Sequence, residues 1–155
     1  MTTDHHYVPP VSGFDRLGNA FVRWLADRGV NLAGARTLTV TGRVSGAPQR
    51  IPVNPMMFGD GEYLVAARGN TQWVRNARVT PAAELRRGRR VRHVRLTEVP
   101  AADRAPIIRA YLDKWGWEVG RFLPPGLDVD ADVATIAGFA ADIPVFAVGS
   151  QRDRR

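Results

Sequence analysis

Three short stretches of the sequence carry side chains suited to binding a flat, anionic molecule. Residues 41–50 set arginines around a Ser-Gly turn, residues 68–70 read Arg-Gly-Asn at the end of a strand, and residues 73–76 begin a short helix with a tryptophan. Guanidinium groups match phosphate geometry, helix starts favour anions, and an indole offers a flat apolar surface. If folding brings them together, they form a site for a planar cofactor with a phosphate on its tail. The alternative places the arginines in solvent and Trp73 in the core.

The elements that must position these stretches follow from the apolar periodicity. Alternation at Leu38 and Val40 predicts a strand, and Asp60-Gly61 predicts a hairpin turn because glycine tolerates a positive φ. Prolines 52 and 55 make the strand before that turn an edge or bulged strand. The predicted order is a helix from Ser12 to Gly29, strands over 36–42, 50–60 and 61–69, a short helix over 70–81, a hairpin over 83–99 turning near Arg87-Gly88, a helix over 101–117, an excursion over 123–142 with a short helix, and a strand over 143–149.

This order predicts an α+β fold with one domain. Runs of antiparallel hairpins with helices packed outside favour a small barrel or curled sheet over a doubly wound parallel sheet. Residues 1–11 are expected to form a flexible lead-in, residues 12–150 the domain and residues 151–155 a tail. The amphipathic helix from Ser12 is expected to cover the sheet, with contact to a membrane surface as the alternative.

The charge balance of the chain favours an anionic partner. There are 22 basic and 15 acidic residues, giving a net charge of +7, and Lys114 is the only lysine among them. Codon bias toward arginine explains the same composition without any partner. The chain has no cysteine, which excludes thiol catalysis and Cys-ligated metals. With no apolar run of about 20 residues and no export signal, the expected location is the cytoplasm.

The sequence lacks the motifs that are typical of several other functional classes. His5 and His6 lack a third ligand, so no metal site is expected, and His93 is interpreted as a strand residue. No G-x-S-x-G, H-E-x-x-H, Walker A or G-x-G-x-x-G motif is present. The basic run 86–95 would attract nucleic acid, but its apolar alternation and lack of aromatics are typical of a hairpin with one solvated face. No nucleic-acid partner is therefore expected.

Residues 36–99 and the closing strand resemble the deazaflavin-dependent nitroreductase family of flavin/deazaflavin oxidoreductases. The resemblance rests on "GRVSG", then "PQRIP", then "WVRN", in this order, and on the final "DIPVFAV". It implies a split β-barrel of the FMN-binding type that binds coenzyme F420. It also implies hydride transfer from the reduced deazaflavin to a small hydrophobic acceptor such as a quinone, a nitroaromatic or an activated alkene. FMN is the alternative cofactor.

The resemblance also assigns cofactor-binding residues. They come from the first phosphate-contacting turn, the strand beside the cofactor, the strand that ends at the phosphate, and the helix start that closes over the ring. They are Arg43, Val44, Ser45, Gln49, Arg50, Ile51, Pro52, Val53, Asn54, Val65, Ala66, Ala67, Arg68, Gln72, Trp73, Val74, Arg75 and Asn76. Val44 stands where many members carry a second basic residue, and the loop between Arg68 and Trp73 is short, which implies a reshaped acceptor pocket.

Hydride chemistry of this kind requires little acid–base machinery from the protein. Tyr63 and Tyr111 are candidate proton donors, with packing as the alternative for each. Trp115 and Trp117 are candidates to line the acceptor pocket, with core packing as the alternative. A non-catalytic carrier of a flavin, a deazaflavin or a lipid-like ligand is the second hypothesis for the function. Oligomeric state and the physiological acceptor are left open.

Overall fold

A computed structural model describes residues 36–151 of the 155-residue chain. The predicted lead-in, the predicted helix from Ser12 with its membrane contact, and the tail beyond Gln151 lie outside the described residues. The described part has seven strands, β1 (Arg36–Thr41), β2 (Pro48–Val53), β3 (Met56–Phe58), β4 (Gly61–Val65), β5 (Ala82–Arg87), β6 (Arg90–Glu98) and β7 (Val145–Ser150), and three α-helices, α1 (Gln72–Val79), α2 (Ala105–Val119) and α3 (Val133–Ala137). Short 3-10 helices cover Ala101–Asp103, Gly120–Phe122 and Ala140–Asp142.

The strands form one antiparallel sheet in the order β2-β1-β5-β6-β7-β4-β3. Its two edge strands, β2 and β3, are separated in the sequence only by Asn54 and Pro55. Because the steps from Val53 to Met56 span at most about 11 Å, the sheet must curl until these two strand ends lie close together. The result is a curled half-barrel, and the prediction of an α+β split β-barrel is confirmed.

The sequence-based prediction of one strand over 50–60 is wrong, because the structure has two strands there. Pro55 has no N–H to donate to a sheet, so the ladder stops after Val53 and a new strand starts at Met56 on the opposite edge. The predicted hairpin follows, with Phe58 opposite Gly61. Its positive φ of 57° falls on Gly59 and not on Gly61.

The other predicted elements are confirmed with small shifts of their ends. Helix α1 ends two residues before Pro81, and the second hairpin turns at Gly88, which has a φ of 59°. The predicted helix over 101–117 is a 3-10 turn followed by α2. The excursion contains one short helix, α3, whose first turn is capped by the Asp132 carboxylate accepting the Thr135 N–H at 2.8 Å.

Two apolar layers cover the sheet. The inner layer fills the curl of the barrel and includes Leu38, Leu64 and Phe146, while the outer layer packs α2 against β3, β4 and β7. Successive strand residues point to opposite faces, so Val145 belongs to the outer layer and its neighbour Phe146 to the inner one. Strands β4 and β7 are therefore buried on both faces, which fixes the part of the sheet nearest α2.

Within residues 36–151, no helix has the length and apolar character needed to cross a bilayer. The same part of the chain holds no group of three or more His, Cys, Asp or Glu residues arranged to bind a metal ion.

A partly buried charge network ties α1, β6 and α2 together. The Glu98 carboxylate accepts hydrogen bonds from Arg78 Nη2 at 2.7 Å and from Arg104 Nη2 at 3.1 Å. Arg104 is only 6% exposed and also donates to the carbonyl oxygens of Val99 and Ala140. The hydrogen bonds from Arg78, the charge of Arg78 and that of Arg104 hold the pKa of Glu98 below its ordinary value against the opposing effect of burial.

Replacing Glu98 with glutamine is expected to lower the free energy of unfolding by about 2 kcal/mol at neutral pH, since hydrogen bonds to a charged group are lost beside a buried arginine. Because the folded pKa lies below the unfolded value of about 4.3, this contribution is complete above that value and is lost as the pH falls through the folded pKa. Urea unfolding at a series of pH values measures it. Glu84→Gln, which removes an exposed pairing with His93, is the control and should have little effect. A Glu98→Gln deficit that persists unchanged in acid would contradict the assignment.

Candidate functional site

One cavity of the described structure has a volume of about 310 Å³, within the usual range for small-molecule sites. It lies where β2, the end of β4, the start of α1 and the C-terminal part of α2 meet. Most of its wall is apolar. The lining residues are Gln49, Ile51, Pro52, Val53, Asn54, Leu64, Val65, Ala66, Ala67, Arg68, Thr71, Gln72, Trp73, Tyr111, Val119 and Phe122.

The three stretches proposed from the sequence converge here, and the first contributes Gln49 to the cavity wall. Eleven of the predicted cofactor-binding residues line the cavity: Gln49, Ile51, Pro52, Val53, Asn54, Val65, Ala66, Ala67, Arg68, Gln72 and Trp73. Tyr111, one of the two candidate proton donors, lines it as well. Their roles toward a cofactor remain predictions, but they share one cavity.

The remaining predicted residues lie outside the cavity wall. Val44 and Ser45 are exposed in the β1–β2 turn, and Arg50 is exposed on β2. Val74 is fully buried in the inner layer, while Arg43, Arg75 and Asn76 stand behind or beside the wall. Tyr63 also lies outside it, with its ring edge-on to Phe58 at the β3–β4 hairpin.

Asn76 connects the first turn to the cavity wall. Its side chain is 5% exposed, and its Oδ1 accepts from the Arg43 backbone N–H at 3.0 Å and from Arg43 Nη1 at 2.8 Å. Its Nδ2 donates to Gln49 Oε1 at 2.7 Å. Asn76 thus joins the β1–β2 turn, β2 and α1 through one buried amide, whose polar atoms must be paired because burial makes an unpaired one costly.

The charge of Arg43 is directed toward the cavity and is not neutralised by a carboxylate. Its Nη1 donates to Gln72 Oε1 at 2.8 Å and to Asn76 Oδ1, and among the described residues both partners are neutral amides. Gln72 itself lines the cavity. A positive charge therefore stands directly behind the wall at the start of α1, where the helix dipole also favours an anion.

Trp73 serves both the core and the cavity, so the two alternatives stated for it are not exclusive. Its ring centroid lies 5.5 Å from that of Phe146, with the planes tilted by 50°, and this contact fixes the indole against the inner layer. The half-buried remainder of the side chain lines the cavity. A planar ligand entering the cavity would meet an aromatic surface that is already ordered.

Two polar atoms in the cavity wall have no hydrogen-bond partner among the described residues. They are Oδ1 of Asn54 and Oγ1 of Thr71, and both are buried. Thr71 precedes α1 but its side chain makes no capping hydrogen bond. Leaving such atoms unpaired costs about 1–3 kcal/mol each.

The charges of the wall fit a molecule with an anionic tail. Arg68 is the one charged residue among those lining the cavity, and no carboxylate lies among them. Its guanidinium carbon is 4.1 Å from the ring centroid of Phe122. An apolar slot with a cation at one side accommodates a flat ring with a phosphate tail, so the residues present fit the F420 that the sequence resemblance implies.

Four wall residues were not predicted, namely Leu64, Thr71, Val119 and Phe122. Leu64 and Thr71 adjoin predicted residues, and the position of Thr71 just before a helix was a usable signal. Neither Trp115 nor Trp117 lines the cavity, and for Trp115 the core-packing alternative is correct. Trp115 is buried in the outer layer, and Trp117 is 78% exposed on the far side of α2.

The fold and the cavity define a split-barrel protein with a largely apolar cavity that has one arginine in its wall, and the comparisons with known proteins name the family. The chain belongs to the F420H(2)-dependent quinone reductase family, whose model matches residues 18–117. In a sequence comparison with curated proteins, none matches the chain.

Solved structures share the fold at low sequence identity. A protein described as a domain-swapped dimer aligns with a TM-score of 0.51 at 17% identity, covering 88% of this chain and 99% of its own. Atu2129 of Agrobacterium tumefaciens C58, a protein of unknown function, aligns with a TM-score of 0.51 at 16% identity. The alignment covers 93% of this chain and 59% of Atu2129. ChuZ of Campylobacter jejuni aligns with a TM-score of 0.51 at 13% identity, and the alignment covers 76% of this chain and 48% of ChuZ. These similarities establish the architecture alone.

Proposed function

We propose that the protein binds F420 in the cavity beside Trp73 and passes a hydride from the reduced deazaflavin to a small hydrophobic acceptor. A quinone is the first choice of acceptor because the family is one of quinone reductases. Nitroaromatics and activated alkenes are acceptors of the same electronic kind. The single observation that carries the proposal is the convergence of eleven predicted cofactor-binding residues on one cavity that lacks a carboxylate.

Each part of the wall has a task in this reaction. Reduced deazaflavin, when bound, supplies two electrons and one proton as a hydride. Trp73 holds a flat ring in place, and Ile51, Leu64 and Ala66 keep water away from the reacting atoms. Arg68 binds an anionic group of the ligand. The chain thereby orders the ring and the acceptor within one dry cavity, which is the main requirement for hydride transfer.

The test is a titration of the purified protein with F420, followed by the fluorescence of its tryptophans. Saturation at micromolar cofactor is expected, with weaker binding of FMN, which the family match does not favour. A reduced-cofactor assay with menadione then separates the enzyme from the non-catalytic carrier. Consumption of reduced F420 supports the enzyme, whereas saturable binding without consumption would favour the carrier. Absence of any saturable change would refute both.

Reduction of a quinone to a hydroquinone requires one proton in addition to the hydride, and Tyr111 is our candidate donor. Its side chain is 6% exposed and lines the cavity. Tyr111→Phe is expected to lower kcat with menadione about tenfold, below the usual effect of losing a general acid because water can replace the hydroxyl. The dissociation constant for F420 should change little. Tyr63→Phe is the control, since Tyr63 lies outside the cavity wall. An unchanged kcat for Tyr111→Phe would assign this tyrosine to packing.

A further inference from the structure

Phe122 brings two arginines from different parts of the chain to one aromatic ring. The guanidinium carbon of Arg68, just beyond β4, lies 4.1 Å from the ring centroid, and that of Arg121, in the 3-10 helix after α2, lies 4.6 Å from it. Phe122 and Arg68 line the cavity, while Arg121 is exposed beside it. The sequence resemblance assigned Arg68 a role but gave none to Arg121 or Phe122.

Two cations over one ring form an arrangement that an anion would stabilise. Each cation–π contact is attractive, and both arginines carry the same charge near one ring. No carboxylate lies among the cavity-lining residues, and the described ion pairs do not include Arg121. Phe122 therefore brings the guanidinium group of Arg121 to a ring that also contacts Arg68 at the cavity wall.

We propose that Arg121 and Arg68, which both contact the ring of Phe122, form a binding site for a phosphate or carboxylate group of a ligand in the cavity. Arg121 contacts the anion directly, and Phe122 is a positioning residue that orients both guanidinium groups. Planar guanidinium groups bind such oxyanions through paired hydrogen bonds. The proposal rests on the proposed function of the same cavity, and it adds an anion-binding residue from the segment after α2.

Two sources can supply the anionic group, and the ligands used in the test separate them. One source is the tail of the cofactor, and the other is a negatively charged acceptor. F420 carries the anionic tail, whereas 7,8-didemethyl-8-hydroxy-5-deazariboflavin (here 5-deazariboflavin) has the same ring without phosphate or glutamates. A carboxylate-bearing quinone and a neutral quinone of similar size make the same comparison on the acceptor side.

The variants are Arg121→Gln and Phe122→Leu, with Lys114→Gln as the matched control. Lys114 is also an exposed cation over an aromatic ring, 5.2 Å from that of Trp115, but it lies outside the cavity. Circular dichroism and thermal unfolding verify that each variant folds.

If the cofactor tail supplies the anionic group, Arg121→Gln is expected to raise the dissociation constant of F420 about tenfold at low ionic strength. The increase should be smaller at high salt concentration. Phe122→Leu should raise it about threefold, and neither should change the affinity for 5-deazariboflavin. If a negatively charged acceptor supplies the anionic group, both variants should raise KM for the carboxylate-bearing quinone and leave KM for the neutral quinone unchanged. Arg121→Gln behaving like Lys114→Gln with every ligand would overturn the proposal. Equal losses for F420 and 5-deazariboflavin would also overturn it, because packing would then explain the effect.

Titration with pyrophosphate separates this proposal from the proposed function. Shifts of the arginine Nε–H signals in the NMR spectrum of the wild-type protein, absent in Arg121→Gln, would support the anion site even if F420 failed to bind. Micromolar F420 binding that is insensitive to Arg121→Gln, with no selectivity among quinones, would leave the proposed function intact and refute the anion site.

Discussion

Replacing Asn76 with alanine is expected to lower the free energy of unfolding by about 3 kcal/mol. The side chain is 5% exposed and makes three hydrogen bonds, two with Arg43 and one with Gln49. Each contributes about 1 kcal/mol, and somewhat more where a guanidinium is the donor. Truncation would also leave the buried Arg43 N–H without this acceptor. Urea unfolding monitored by circular dichroism gives the value.

Asn70→Ala is the matched control for this experiment. Asn70 also accepts a hydrogen bond from an arginine, Arg78 Nη1 at 2.8 Å, but at an exposed site. Its loss should cost less than about 1 kcal/mol, because an exposed pair exchanges readily with water. Equal destabilisation by the two substitutions would show that burial of the Asn76 amide contributes nothing.

Replacing Trp73 with alanine is expected to raise the dissociation constant of F420 about 30-fold. Stacking of a flat ring on an aromatic side chain contributes about 1–3 kcal/mol, and about 2 kcal/mol corresponds to this factor. The contact with Phe146 is lost as well, so the wall becomes less ordered. Trp73→Phe keeps an aromatic surface and should retain most of the affinity, which separates lost stacking from general destabilisation.

Trp117→Ala is the control, because Trp117 is 78% exposed and outside the cavity. Its cofactor affinity should equal that of the wild type. The measurement is an equilibrium titration by cofactor absorbance, so that loss of a tryptophan does not alter the signal itself. Wild-type affinity in Trp73→Ala would place the cofactor elsewhere and remove the basis of the proposed function.

The strands were predictable where one face is apolar and the other is not. Leu38 and Val40 on β1, like Val94 and Leu96 on β6, point inward and are nearly inaccessible. This period of two can be read from the sequence. The pairing of β4 with β7 was not predictable, because it joins segments far apart in the chain and depends on the completed curl of the sheet. The sequence showed that Pro55 disturbs the strand. It did not show that the chain passes there from one edge of the sheet to the opposite edge.

The parts of the cavity wall formed by local sequence features were predictable, and those supplied by a distant helix were not. Turn composition and the family resemblance indicated the wall from Gln49 to Asn54 and from Val65 to Trp73. The wall from α2 and the segment after it was largely missed, since nothing local shows which face of a helix meets a distant strand. The mistaken prediction for Trp117 has a geometric cause. Residues two apart on a helix point about 200° apart, so Trp115 enters the outer layer while Trp117 faces away.

The position of β7 between β6 and β4 has a consequence for synthesis of the protein. The β3–β4 hairpin pairs with the rest of the sheet only through β7, the last strand of the described residues. Before β7 has been synthesised, the hairpin has no edge to join, and the part of the cavity wall from Leu64 to Arg68 is unsupported. That part of the wall can therefore hold a ligand only once β7 has paired with β4.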